Sequence, residues 1–563
     1  MPPTSAFTYR DLKLLAQSST DSPLRVIALV DFDAFYAQCE TVRLGLPPDQ
    51  PLAVQQWNAI IALNYAAKKR GLKRGISVEE AKATCPGLIL QHVATWREGE
   101  TGWAYRPDVL QHMKTDKAAL DPYRLESRKT FKLVHELLPP PPIQRIEKAG
   151  VDEFFLDLSA QVHSVLLERH PYLHPESHAP EDPLPAPDTS VLDWSTDHLV
   201  PLDPTAEEDI TSPDWDDFTL HIGAHIVRHL RHSILTTLHY TTSAGLARTK
   251  SLAKLAASAH KPASQTVVRT AATPAFLATH KFTQIRGLAR SLGSQVVAAF
   301  NTDRVSDLLA APLSSLVAEL GPETGAWVHS VIRGIDTSEV VPRTALQSML
   351  AQKTFVPPLH GPQEAEKWLR TFARDLCARV EEQCAEGVER RPRRVALRHH
   401  IRGRFGPTRS KQMGIPAGVK IGEETVVGML RVLLGRVGAE GESWPCMALG
   451  VSLGDFGEEE MGGRIETFFG KRKAVGNEEE EGGPRKVGVA PSKRSRIGEG
   501  GTDASDGDRE LLLGSEEREK RVAAGDEYLC PHCEEAIPSE QVLEHLDWHV
   551  ALELQDGANG ADA

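Results

Sequence analysis

The chain has 563 residues, 40% hydrophobic and 25% charged, which is too long for one core and points to about two to five domains in a water-soluble protein. No apolar run is long enough to cross a membrane as a helix, and the N-terminus lacks the basic-then-apolar order of a secretory signal. Seven scattered cysteines exclude a disulfide-stapled scaffold and suggest a reduced, intracellular setting, while a net charge of -13 excludes a uniformly cationic surface.

In chain order, residues 25–32 (RVIALVDF) are β-rich and almost continuously apolar, which predicts a buried strand ending in a carboxylate. Residues 59–70 (AIIALNYAAKKR) have helical spacing and a cationic end, and Gly71 follows as a stop signal, so a helix is expected. Residues 148–159 (KAGVDEFFLDLS) read as a turn or strand end feeding a second apolar strand. Residues 160–218 are crowded with Pro, Asp and Glu, with little periodicity beyond their start. Most of this stretch is expected to be an insertion loop whose acidic residues serve solvation. A helix over 220–238, a strand over 241–246 and a helix over 249–259 follow, then a helical region over 282–320. An amphipathic helix is expected over 361–384, with strands at 395–401 and 447–453. From 457 to 527 Gly, Glu, Lys and Arg dominate, which predicts a disordered linker before a compact island at 528–555.

Asp31 ends the first strand, and the pair Asp152–Glu153 sits at a second strand edge. Nucleotidyl transfer uses two divalent ions that clamp the attacking and leaving oxygens, and magnesium takes oxygen ligands. Three carboxylates on adjacent strands would suit it, although Asp-Glu pairs also occur as ordinary exposed turn residues. The flanking residues decide the matter. DFDAFYAQCE (31–40) and VDEFFLDL (151–158) resemble the two metal-binding motifs of the Y family of DNA polymerases. The resemblance continues through QWNAIIALNYAAKKRGLKRGIS (56–77) and TTSAGLARTKSLAKLAASAHKPASQT (241–266), and it covers about residues 24–456.

This resemblance implies an α+β multidomain fold shaped as a right hand. It implies a palm at 24–34 and 92–267, fingers at 35–91, a thumb at 268–342 and a little finger at 343–456. It implies a template-directed DNA polymerase that acts on primer–template DNA and deoxynucleoside triphosphates with two magnesium ions. Asp31, Asp152 and Glu153 match the metal ligands, with the Phe32 carbonyl as a further one. Asp33 and Asp157 lie nearby, but the family pattern does not require them, and Asp157 reads as structural. Tyr36 matches the aromatic ring that clashes with a ribose 2'-hydroxyl; otherwise it would read as a core aromatic. Tyr65, Lys68 and Lys261 match the residues that hold the triphosphate, although Lys68 replaces the family's usual Arg and cannot grip bidentately. Gly150 replaces a usual Ser. Gln56, beside the template base, and Arg74, over the incoming base and phosphates, point to the branch that inserts opposite cis-syn thymine dimers.

Arg390, Arg391, Arg393, Arg394, Arg398, Arg402, Arg404, Arg409 and Lys411 fall in one stretch without an acidic residue, as a phosphate-tracking surface would. By position they belong to the little finger; the alternative is a merely solvated basic face. Residues 285–293 (IRGLARSLG) sit where the family thumb has a helix-hairpin-helix turn, here with Leu288, Ala289 and Arg290 in the hairpin.

Cys530, Cys533, His545 and His549 have the spacing of a tetrahedral zinc site. Its helix carries Glu540, Glu544, Asp547 and Glu553, which would repel phosphate. HLDWHVALELQ (545–555) instead resembles the ubiquitin-binding zinc finger of the family's lesion-bypass branch, with Asp547 as key contact and Val550 and Ala551 on the apolar surface. Monoubiquitinated sliding clamp (PCNA) is the implied partner. Ile465, Phe468 and Phe469 resemble the hydrophobic half of a clamp-binding box, with Gly462 where Gln leads; the alternative is an aromatic pair in a linker. The basic clusters at 471–473 and 493–496 suit nuclear import. The whole reads as a nuclear monomer. Its rivals are another Y-family branch and a non-catalytic clamp and ubiquitin adaptor that kept the fold.

Overall fold

The computed structural model describes residues 4–458, apart from 176–177, 203–212, 343–345, 388–389, 402–407 and 442, together with 527–529 and 536–538. In the first part of the chain β1 (Ile27–Phe32) leads into α1 (Phe35–Arg43), and β2 (Leu52–Gln56) and β3 (Ala59–Leu63) precede the short α2 (Tyr65–Lys69). Then come α3 (Asp121–Leu137), β4 (Arg145–Lys148), β5 (Glu153–Asp157), α4 (Trp215–Leu238), β6 (Thr242–Ala247), α5 (Lys250–Ala259) and β7 (Gln265–Val267). The C-terminal unit contains β8 (Ser348–Leu359), α6 (Pro362–Ala385), β9 (Arg390–Ile401), β10 (Thr408–Gly414), α7 (Glu423–Gly438) and β11 (Cys446–Glu458).

β1 is apolar along nearly its whole length because both of its faces are covered. It lies inside a six-stranded sheet ordered His198–Leu199, β7, β6, β1, β5, β4. Its pairings with β6 and β5 are antiparallel, whereas β7 is parallel to β6. On one face Val26, Val30 and Leu246 join a core with Leu220, Ala224 and Val227 of α4. On the other, Ile27, Leu29 and Phe155 pack with Leu252, Ala253 and Ala256 of α5. Gly245 lets α5 approach, since a Cβ there would lie 2.2 Å from the Ala253 carbonyl oxygen and 2.2 Å from the Ala257 nitrogen.

One expectation is corrected and another refined. Residues 59–70 are not one helix. Their first five residues form β3, paired antiparallel with β2, and only Tyr65–Lys69 is helical. The β-branched pair Ile60–Ile61 favours the strand, and Asn64 ends it, its side chain accepting from the Leu52 and Ala67 amides at 3.1 and 2.9 Å. The stretch from 160 to 218 is, as expected, largely irregular and exposed where it is described, but it also carries ordered pieces. It contains the helix Ser159–Arg169, a strand Pro183–Pro185 paired with Thr4–Thr8, and the strand His198–Leu199 at the sheet edge. Leu173, Leu184 and Trp215 are fully buried. Several of its acids have fixed partners: Asp197 pairs with Arg228 at 2.6 Å, and Asp217 with Arg269 at 2.8 Å.

The region over 282–320 is helical in short pieces, Arg290–Phe300, Val305–Leu308 and Leu313–Leu320. In the C-terminal unit four antiparallel strands run in the order β8, β11, β9, β10. Phe372, Leu376, Leu430 and Leu433 of α6 and α7 share a core with Val395, Leu397 and Val451 on one face of that sheet. Among the described residues no helix is long and apolar enough to cross a membrane.

Candidate active site

Asp31 is the register partner of Glu153 across the β1–β5 ladder, and the Phe32 amide donates to the Asp152 carbonyl at 2.9 Å. Adjacent strand ends thus bring three carboxylates together. The turn that carries Asp152 is closed by the Ala149 and Gly150 amides, which donate to the Glu153 carbonyl at 3.1 and 3.0 Å. Burial, reinforced by Asp152 and Glu153, pushes the Asp31 carboxyl up to about 7 even though Lys261 pulls the other way. Asp152 is likewise raised, by burial and then by Glu153.

Two ammonium groups answer this crowding. Lys261 ion-pairs with Asp31, and Lys254 lies 2.9 Å from Glu153. With these lysines in place, no group of three or more His, Cys, Asp or Glu side chains among the described residues is arranged to hold a metal ion. The donor chemistry nevertheless fits a hard divalent cation, being all oxygen, with two carboxyl pKa values raised by burial first and by neighbouring carboxylates second.

Asp33 does a different job. It accepts from Ser243 Oγ at 2.7 Å and from the Ala263 amide at 2.8 Å, which fixes the loop carrying Lys261. Asp157 accepts from the Ser159 amide at 3.0 Å, at the entry to the following helix, and faces the buried Arg25 at 3.5 Å.

Lys68, at the end of α2, stands with Nζ 4.4 Å from the Tyr65 ring centroid. Burial lowers its pKa, and Lys261 and Arg74 add to the fall while Asp33 and Asp31 oppose it. The Tyr65 hydroxyl is raised by burial and then by Asp33 and Asp31. Several cations and a phenol therefore gather beside the carboxylates, an arrangement suited to a polyanion. Tyr36 is reached through a sharp turn at Ala34, which has a left-handed φ of 50°. Its ring stacks on Tyr123 at 4.2 Å, with the planes 15° apart. Gln56 ends β2 and is 5% exposed; the next residue, Trp57, donates its amide to His92 Nε2 at 2.7 Å.

Sequence reasoning passed over Lys254, Tyr123 and Glu40. Lys254 could have been found, since it shares one helix face with Lys250, which pairs with Glu147 at 2.6 Å. Tyr123 lies in a stretch without a motif. Glu40 stood inside one with no role assigned.

On β9 the side chains alternate. Val395, Leu397 and His399 are buried, whereas Arg394 and Arg398 are exposed on the opposite side, opposite Gly414 and Ser410 of β10. Arg393 is exposed as well, and Arg390 and Arg391 lie at the strand's start. Arg409 is turned inward, donating to Ser443 Oγ at 2.9 Å, and Lys411 pairs with Glu440. Arg402 and Arg404 lie outside the described residues, as do Ile465, Phe468, Phe469, the four zinc-ligand candidates, Asp547, Val550 and Ala551. In the hairpin at 285–293 Gly287 has a φ of +85° and lies against Trp327, so a left-handed turn is present there.

The impB/mucB/samB family matches residues 30–258 and its C-terminal domain residues 346–465, so both the carboxylate site and the arginine-bearing sheet fall inside it. The chain belongs to the Y family of DNA polymerases. Residues 526–556 match the ubiquitin-binding zinc finger family. The polymerase is 32% identical to N-acetyltransferase eso1 of Schizosaccharomyces pombe over 98% of its own length, yet spans 64% of that protein, less than two thirds. It is 26% identical to DNA polymerase eta of Saccharomyces cerevisiae, covering 99% of the chain and 92% of the relative. DNA polymerase eta of Arabidopsis thaliana is 31% identical, over 64% of the chain and 50% of the relative. The described strands at 527–529 and 536–538 pair antiparallel on either side of Cys530 and Cys533.

Proposed function

We propose that this Y-family polymerase performs translesion synthesis, inserting deoxynucleotides opposite UV lesions such as cis-syn thymine dimers. The observation that carries the reading is the carboxylate group at the β1–β5 strand ends, with Lys68 and Lys261 gathered beside it and Tyr36 close by. On this reading the first part of the chain supplies palm, fingers and thumb, and the C-terminal unit is the little finger.

Asp31, Asp152, Glu153 and the Phe32 carbonyl would hold two magnesium ions, which supply charge neutralisation at the attacking and leaving oxygens. Lys261, Lys68, Tyr65 and Arg74 bind the triphosphate, so Lys261 leaves Asp31 for phosphate as the nucleotide enters. Tyr36 lies under the incoming sugar and excludes a 2'-hydroxyl. Gln56 contacts the template base, and Arg74 covers the incoming base. The primer 3'-hydroxyl attacks the α-phosphate and pyrophosphate leaves.

Arg390, Arg391, Arg393, Arg394 and Arg398, joined by Arg402 and Arg404, follow the duplex backbone. Cys530, Cys533, His545 and His549 would hold one zinc ion, and Asp547, Val550 and Ala551 would meet ubiquitin on a monoubiquitinated sliding clamp in the nucleus, assisted by Ile465, Phe468 and Phe469.

The test is primer extension past a template thymine dimer. Magnesium-dependent insertion of two adenines, lost in Asp152→Ala and in Glu153→Ala, is expected. Extension on undamaged DNA that halts at the dimer would reject lesion bypass and keep the polymerase. No extension on either template by folded protein would replace both with an adaptor role.

A further inference from the structure

The C-terminal unit meets the remainder of the chain through buried charge. Lys117 Nζ lies 2.8 Å from Asp375, and Arg379 Nε lies 2.8 Å from Asp375 and 2.8 Å from Asp121. The four side chains are 7%, 0%, 9% and 3% exposed, so water screens little of this network. Beside it Lys353 Nζ donates to the Met113 and Asp116 carbonyls at 3.0 and 2.9 Å. Well-packed apolar residues would often hold such a joint equally well, so buried ions are weak evidence for stability and invite a positional explanation.

Their position is informative. Asp121 is the first residue of α3, and its carboxylate also accepts from Arg124 at 2.8 Å. Two residues along the same helix stands Tyr123, whose ring stacks on Tyr36. The Tyr123 hydroxyl donates to Glu40 Oε1 at 2.7 Å, and the Tyr105 hydroxyl donates to the same oxygen at 2.8 Å. Glu40 is fully buried and lies one helical turn beyond Tyr36 on α1. Tyr36 is thus held twice by Tyr123, through its ring and through its own helix. Tyr123 in turn sits on the helix end that Arg379 anchors.

We infer that Arg379, Asp375, Lys117 and Asp121 are positioning residues for sugar selection: they seat the C-terminal unit and, through Asp121 and Tyr123, fix the plane of the Tyr36 ring. The inference rests on the reading of Tyr36 as the ring beneath the incoming sugar. A joint that only docked the two parts would influence DNA affinity and leave sugar choice alone. A second crossing supplies the comparison. Arg128 lies two turns further along α3 and reaches Glu382 at 3.0 Å and Glu386 at 2.9 Å, with no bond to Asp121 or Tyr123 among those the structure records for it.

The experiment uses the full chain on undamaged primer–template DNA and compares kcat/KM for ribonucleoside and deoxyribonucleoside triphosphates. In Arg379→Met the ratio is expected to shift roughly tenfold toward ribonucleotides, because small displacements at a reacting centre have large rate effects. Arg379→Lys should restore part of the selectivity by keeping the charge without the fork. Arg128→Ala should leave the ratio unchanged. In a Tyr36→Ala background Arg379→Met should add no further loss, as expected for residues acting through one ring. Should Arg379→Met not fold, Asp375→Asn is the gentler variant. An unchanged ratio in both, with weakened DNA binding, would overturn the inference and leave a docking joint. If Tyr36→Ala itself left the ratio unchanged, the reading of Tyr36 would fall first and the inference with it.

Discussion

His92 shows how a single side chain outside every motif can fix a residue inside one. Its Nδ1 donates to the Val93 carbonyl at 2.8 Å and its Nε2 accepts from the Trp57 amide at 2.7 Å, so the ring is neutral. The bond holds Trp57 at a φ of 54°, directly after Gln56. Burial pushes the pKa of His92 down to about 4. The unfolded chain takes up this proton below its ordinary value of about 6.5 and the folded chain only near 4. Stability is therefore lost as pH falls through that window, by about 3 kcal/mol at most from this group. Urea denaturation at pH 7 and pH 4.5 should show that part of the loss missing in His92→Gln. At the same scale, Gln56→Ala and Arg74→Ala are each expected to lower dimer bypass about tenfold more than undamaged synthesis. Equal losses in a primer-extension time course would count against their roles at the templating pair.

Among elements, the contact of β6 with α5 is the least forgiving. In Gly245→Ala the new Cβ would meet two backbone atoms of α5 at 2.2 Å, and backbone cannot swing aside as a side chain can. A loss of about 3 kcal/mol is expected, read as a lowered Tm by calorimetry. Legibility in the sequence followed the same logic of local against distant contacts. β1, α4, β6, α5 and α6 were readable because burial is written into their periodicity or continuous apolarity. The carboxylates were readable because strand ends and motif coincide. β3 was misread because AIIALNYAAKKR also has helical spacing, and its strand state depends on pairing with β2, a relation no local window contains. In the insertion, proline and acid content signalled the exposed irregular stretches but not that Asp197 and Asp217 find arginines on distant elements. Tyr123 was illegible for a related reason. Its value lies in a stack with a residue 87 positions earlier in the chain.

For the whole molecule, charge is divided by place. The net charge of -13 coexists with arginines on the open side of β9, so DNA affinity should fall steeply with salt although the protein is acidic. The zinc finger is expected to act as a separate binding unit. Asp547→Ala should abolish ubiquitin binding by titration while leaving primer extension intact. A zinc chelator should do the same, because small zinc domains owe their folding to the metal. A further consequence follows from the strand His198–Leu199, which lies parallel to β7, while the Val200 amide donates to the Val267 carbonyl at 2.9 Å. Without it the border of the six-stranded sheet would present unpaired amides and carbonyls, an invitation to pair with a neighbouring chain. The expected outcome is that a chain shortened there keeps its chemistry when dilute and precipitates when concentrated, as light scattering against concentration would show.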